Sequence, residues 1–145
     1  MSDAKLSAEE RQAMKEYMAE KKLAAKRAKT EGEDALNLAD VLAKIEAMAP
    51  ADRVIAQGIH ELIGEVAPSL KAKTWYGMQA YFLDGKIVCF FQDGGKFKSR
   101  YSTLGFQQDA ALDDGAMWPT SFAVLELTPA VIDRITDLLR KSIGK

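Results

Sequence analysis

Two apolar runs, AYFL at 80–83 and IVCFF at 87–91, are separated only by Asp84, Gly85 and Lys86. An Asp-Gly pair in that setting specifies a tight hairpin, because both turn residues must adopt positive φ and Asp-Gly does so at low cost. Tyr81, Phe82, Ile87, Val88, Phe90 and Phe91 are strand formers. The middle of the chain is therefore an antiparallel sheet, and the rest must be arranged around it. Trp75 and Tyr76 extend the pattern upstream. Downstream, QDGGK at 92–96 reads as a second hairpin turn leading into FKSRYSTLGF, and SFAVLEL supplies a strand over 121–127.

Helical periodicity flanks the sheet. Leu38, Val41, Leu42, Ile45 and Met48 form one amphipathic stripe, and Val54, Ile55, Ile59, Leu62, Ile63 and Val66 a second, with Pro50 and Pro68 as breaks. Thr128 and Pro129 match an N-cap and a first-turn proline. They open a last helix with the stripe Val131, Ile132, Ile135, Leu138 and Leu139 and with Arg140 and Lys141 in its final turn. Ahead of these elements, Ser7 and Glu10 form a capping-box pattern opening a charged helix whose apolar stripe is thin. The expected class is α+β: an antiparallel sheet of four to five strands with helices on one face, plus an N-terminal charged helix. Residues 1–32 read as a charged helical extension and linker, and 33–145 as the α+β domain.

Composition narrows the chemistry. Hydrophobic residues make up 48% and the net charge is −1, so the chain is an ordinary globular one with no bulk charge naming a partner. One cysteine, Cys89, allows no internal disulfide and no cysteine-built zinc cluster. Its place mid-strand among Val88 and Phe90 predicts an inert buried thiol. No apolar run resembles a signal peptide or a membrane span, which leads to the expectation of a cytoplasmic protein without membrane contact. The lone histidine, His60, lies on an apolar helix and reads as a structural residue, so no nucleophile and base pair is in view. Lys21, Lys22, Lys26, Arg27 and Lys29 crowd the end of the first helix, a basic arm for nucleic acid or an acidic partner, although acids in the same segment dilute it.

Alternation in KIVCFFQ leaves both faces of its strand apolar, so the face away from the helices needs a cover: the acidic loop, the N-terminal helix, a second protomer or a ligand. Trp75, Tyr76, Met78, Tyr81, Phe106, Met117 and Trp118 are the candidates for such a groove, with Lys73 and Arg100 as charged anchors. Asp109, Asp113 and Asp114 offer oxygen ligands to a hard cation, at a spacing that matches no calcium loop.

The segments APSLKAKTWYGMQAYFLDGKIVCFF, RYSTLGF and LDDGAMWPTSFAV resemble the family called domain of unknown function 1801, or YdhG-like. The resemblance covers residues 36–143, and Gln79 stands where the family motif usually has proline. It implies a frataxin-like fold with helices on one side of an antiparallel sheet, and some relatives are proposed as intracellular iron chaperones. The functional expectation is thus a non-enzymatic domain that binds a small ligand or partner on its open sheet face. The alternatives are iron binding and an adaptor using the basic helix.

Overall fold

The computed structural model describes residues 7–27 and 32–144. Its elements run α1 (Ala8–Arg27), α2 (Glu33–Glu46), α3 (Pro50–Val66), β1 (Lys71–Trp75), β2 (Met78–Leu83), β3 (Lys86–Gln92), α4 (Gly94–Phe97), β4 (Ser102–Phe106), β5 (Ser121–Val124) and α5 (Pro129–Ser142). This is an α+β fold: the strands form one antiparallel sheet in the order β1-β2-β3-β4-β5.

Local chemistry explains the frame. Asp84 and Gly85 take positive φ (50° and 81°) and turn β2 into β3, as the dipeptide requires. Thr128 accepts the Val131 N–H at 3.2 Å at the start of α5. Ser7 and Glu10 exchange their side-chain and backbone bonds at 3.0 and 2.8 Å, a closed capping box. One sequence expectation fails at QDGGK. Residues 94–97 form a helical turn rather than a hairpin turn, because the Gly94 N–H binds Ser102 Oγ at 3.0 Å and the Gly95 N–H binds Asp52 at 3.1 Å. Those partners lie far along the chain, beyond the reach of local turn rules.

The core lies between one sheet face and the helices. Tyr81, Cys89, Phe91 and Leu104 share that face and pack on Val41 and Ile45 of α2, Ile59 and Ile63 of α3, and Leu139 of α5. Truncating a residue such as Ile59, which is fully buried, costs about 2–5 kcal/mol. Val54, expected in the α3 stripe, is exposed instead, as are Leu38 and Leu42 of α2. The buried stripes are narrower than the sequence patterns. A register shift between Tyr81 and Phe82 leaves Val88 as an extra residue on β3, so the two apolar faces of that strand exchange parity there.

Candidate functional site

Alternation on β2 points Gln79 and Tyr81 toward the helices, and α3 carries His60 beside the buried Ile59 and Ile63. The Tyr81 hydroxyl lies 2.8 Å from His60 Nδ1 and 3.1 Å from Gln79 Nε2, whose amide also reaches the Ala56 carbonyl at 3.2 Å. With the Gln79 amide donating to Ala56 and to the phenol oxygen, the phenol proton is left for Nδ1. The arrangement that uses every hydrogen therefore holds His60 as the neutral Nε2–H tautomer. Burial acts in the same direction, lowering the His60 pKa and raising that of Tyr81 well above the ordinary phenol value. Gln79 Oε1 is buried and has no hydrogen-bond partner among the described residues.

His60 and Tyr81 line a cleft of about 380 Å³ between α2, α3 and the start of β1. Leu38, Ile63 and Leu70 supply apolar wall, and Lys71, paired with Asp34 at 3.2 Å, stands exposed among the lining residues. An apolar cleft of this size with a few convergent polar groups and shifted pKa values fits the usual form of a small-molecule site.

A second polar assembly joins α1 to the body. Tyr76 and Gly77, the β1–β2 turn, have φ of 51° and 76°, and their adjacent N–H groups donate to Glu20 Oε1 and Oε2, each at 2.8 Å. Burial raises the Glu20 pKa against those two bonds. One turn earlier, Glu16 takes Lys44 of α2 on one carboxylate oxygen and Lys96 of α4 on the other, the latter at 2.9 Å. Burial opposes the Glu16 charge, but the two ammonium groups outweigh it and hold the carboxyl below its ordinary range. A cleft of about 490 Å³ adjoins this cluster and is lined also by Asp52 and Asp93. Burial raises the Asp93 pKa.

The nine nominated groove residues fall in five places rather than one. Trp75, Met78 and Lys73 occupy the sheet face turned away from the core, where Trp75 tilts on Phe90 at 5.2 Å and Lys73 sits over Phe82 at 5.7 Å. Tyr76 is in the turn. Tyr81 is on the opposite, core-facing side, because it is one strand step out of phase with Met78 and Ala80. Phe106, Met117 and Trp118 come together with Asp113 in a cleft of about 530 Å³ at the 107–120 loop, and Met117 is 87% exposed there. Arg100 is exposed, 5.2 Å from the Tyr101 ring.

Asp109, Asp113 and Asp114 are exposed on the same loop. Among the described residues no three His, Cys, Asp or Glu side chains converge as a metal site would require. In the basic arm, Arg27 is committed to Asn37 and Asp40, at 3.0 and 2.6 Å, and Lys29 lies outside the described residues. Cys89 is fully buried with its thiol pushed up to about 12. No helix of the described residues is long and apolar enough to cross a membrane.

Sequence reading set His60 aside as structural and counted Glu16 and Glu20 only as charge dilution. A signal existed for the second case: Glu16 and Glu20 are four apart, with Tyr17 between, on one face of a helix that otherwise has little to bury. Comparisons with protein-family models, with curated proteins and with solved structures return no match for this chain.

Proposed function

We propose that the protein is a non-enzymatic small-ligand-binding domain and that its site is the cleft between α2, α3 and β1. The observation that carries this reading is the His60–Tyr81 pair on the wall of a largely apolar cavity with Asp34 and Lys71 among its other lining residues. A neutral Nε2–H donor is suited to a carbonyl, carboxylate or ether oxygen, and Leu38, Ile63 and Leu70 are suited to an apolar body. The ligand class is a small, largely apolar molecule with one acceptor group. Lys71 and its ion-pair partner Asp34 both line the cleft and add a polar rim without net charge.

His60 is the only histidine, so its imidazole signals are unambiguous in a nuclear magnetic resonance titration. Titration with short aromatic and aliphatic monocarboxylic acids is expected to shift the His60 resonances saturably, and His60→Ala to abolish binding with the fold intact. The reading is abandoned if the imidazole signals stay fixed to millimolar ligand while other residues respond.

A second reading places the ligand or partner on the open sheet face, as the alternation of KIVCFFQ implies. Trp75 against Phe90, with Lys73 over Phe82, is the observation in its favour. Quenching of tryptophan emission on ligand addition, lost in Trp75→Phe and kept in Trp118→Phe, separates this surface from the His60 cleft.

A further inference from the structure

We propose that the surface under α1 is a recognition site for a helix that presents two carboxylates four residues apart, and that α1 fills this site in cis as a strap. The inference is independent of the His60 cleft and begins from how differently α1 is attached. The helices α2 and α5 each bury two apolar residues and α3 buries four, whereas the one buried residue on α1 is Ala13. Met14, Met18 and Leu23 of α1 are 45%, 61% and 39% exposed. What holds α1 is polar and aromatic: Glu20 on the Tyr76 and Gly77 N–H groups, Glu16 between Lys44 and Lys96, Glu9 on Lys98 at 3.0 Å, Arg27 on Asn37 and Asp40, and Tyr17 stacked on Tyr76.

Seen from the body, these contacts describe a ligand. Two adjacent backbone N–H groups in a left-handed turn form an anion cradle, and the paired ammonium groups of Lys44 and Lys96 form a second one roughly one helical turn away. A flat Tyr76 ring lies beside the first. The matching ligand presents carboxylates at i and i+4 and an aromatic at i+1 on one helix face, as Glu16, Tyr17 and Glu20 do. Asp52, held by the Gly95 N–H and by Ser102 Oγ at 3.4 Å, and Asp93 also line the adjoining cleft and offset part of this positive charge.

Contacts of this kind exchange. A carboxylate of another helix can replace that of Glu16 or Glu20 without opening the apolar core. The tether sets the competition: residues 28–32 join α1 to α2, and a short linker gives the tethered helix an effective concentration on the order of millimolar. In the wild-type protein an incoming helix with such a carboxylate pair must outcompete that. Disabling the strap removes the competitor and exposes the site.

The test uses the full chain. A fluorescent peptide with the sequence of residues 7–27 is titrated, with anisotropy readout, into wild-type protein and into the Glu16→Ala/Glu20→Ala double variant. Binding at least tenfold tighter to the double variant is expected. Adding Lys44→Glu and Lys96→Glu to that variant is expected to abolish binding, as is Glu16→Lys/Glu20→Lys in the peptide. Should the double variant not fold by circular dichroism, Glu16→Gln/Glu20→Gln, which keeps size and one acceptor oxygen while removing the charge, is used and the same contrast is required. Equal affinity for wild type and variant, or binding that survives reversal of the two lysines, overturns the proposal. So does a short single-stranded oligonucleotide binding as tightly as the peptide, since the site would then be a general anion patch.

Discussion

Tyr17 of α1 lies flat on Tyr76 of the β1–β2 turn, with 4.0 Å between ring centroids and 5° between ring planes. The partner ring belongs to a residue with a φ of 51°, a left-handed conformation that costs a non-glycine residue on the order of 1–3 kcal/mol unless its surroundings hold it. The stack and the Glu20 carboxylate hold it. An aromatic pair contributes about 0.5–1.5 kcal/mol beyond area burial, so the turn and α1 stabilise each other.

Gly77 tests this coupling. Its φ of 76° favours glycine, and a Cβ there would run into the Glu16 carboxylate and the Lys96 ammonium. Gly77→Ala is expected to lower stability by about 1 kcal/mol or more. Amide exchange in α1 should accelerate more than in α3. Glu16→Ala removes one of the colliding groups together with its ion pairs to Lys44 and Lys96, so it should cost less denaturant midpoint in the Gly77→Ala background than in wild type. Equal costs in the two backgrounds would mean that backbone strain alone accounts for the change.

Glu16 and Glu20 give opposite pH dependences. Glu16 is held below its ordinary 4.5, so the unfolded chain takes up the proton first, and its stabilisation is present above 4.5 and lost as pH falls through the lowered value. Glu20 is raised above 4.5, so the folded protein takes up the proton first, and its contribution is present below 4.5 and lost as pH rises through the raised value. Glu16→Gln should therefore cost most thermal stability at pH 7 and progressively less toward pH 3. Glu20→Gln should cost more at pH 4 than at pH 7. Melting curves of both variants between pH 3 and pH 7 check the two signs, and parallel trends would contradict the assignment.

The sheet and the last helix were legible in the sequence because their determinants are local. Asp84-Gly85 dictates its own turn, Thr128-Pro129 its own cap, and alternation marks β3. The 92–96 segment was misread because its helical turn depends on Asp52 and Ser102. The candidate sites were less legible for the same reason. His60 meets Tyr81 across 21 positions, and Glu20 meets Tyr76 across 56. Sorting the aromatics by face failed at Tyr81, since a face assignment needs the register and bulge of the folded sheet.

Cys89 offers a check on the core. Burial removes the thiolate, the reactive form, at neutral pH, and the side chain has no access to reagent. A thiol reagent at pH 7.5 should leave the native protein unmodified for hours and label it stoichiometrically in denaturant. Modification rates across subdenaturing concentrations should follow global unfolding. Fast labelling in native buffer would show that the β3 centre opens locally.

Stability near neutral pH should also depend on His60. Its pKa lies below the ordinary 6.5, burial being the main cause, so between the two values the unfolded chain binds the proton and the folded protein does not. The stabilisation is present above 6.5 and is lost as pH falls through the folded value. Protonation at Nδ1 also turns that atom from acceptor to donor toward Tyr81, whose oxygen already accepts from Gln79, leaving the buried phenol proton without its acceptor. His60→Gln is expected to flatten the decline in denaturation midpoint from pH 7 to pH 5, although it lowers stability at pH 7. Tyr81→Phe removes the hydroxyl and leaves one Gln79 N–H unsatisfied, a cost of about 1–3 kcal/mol. That variant should keep part of the pH slope, since desolvation of the imidazole remains. If His60→Gln declines as steeply as wild type, the carboxylates and not the imidazole govern stability in this range.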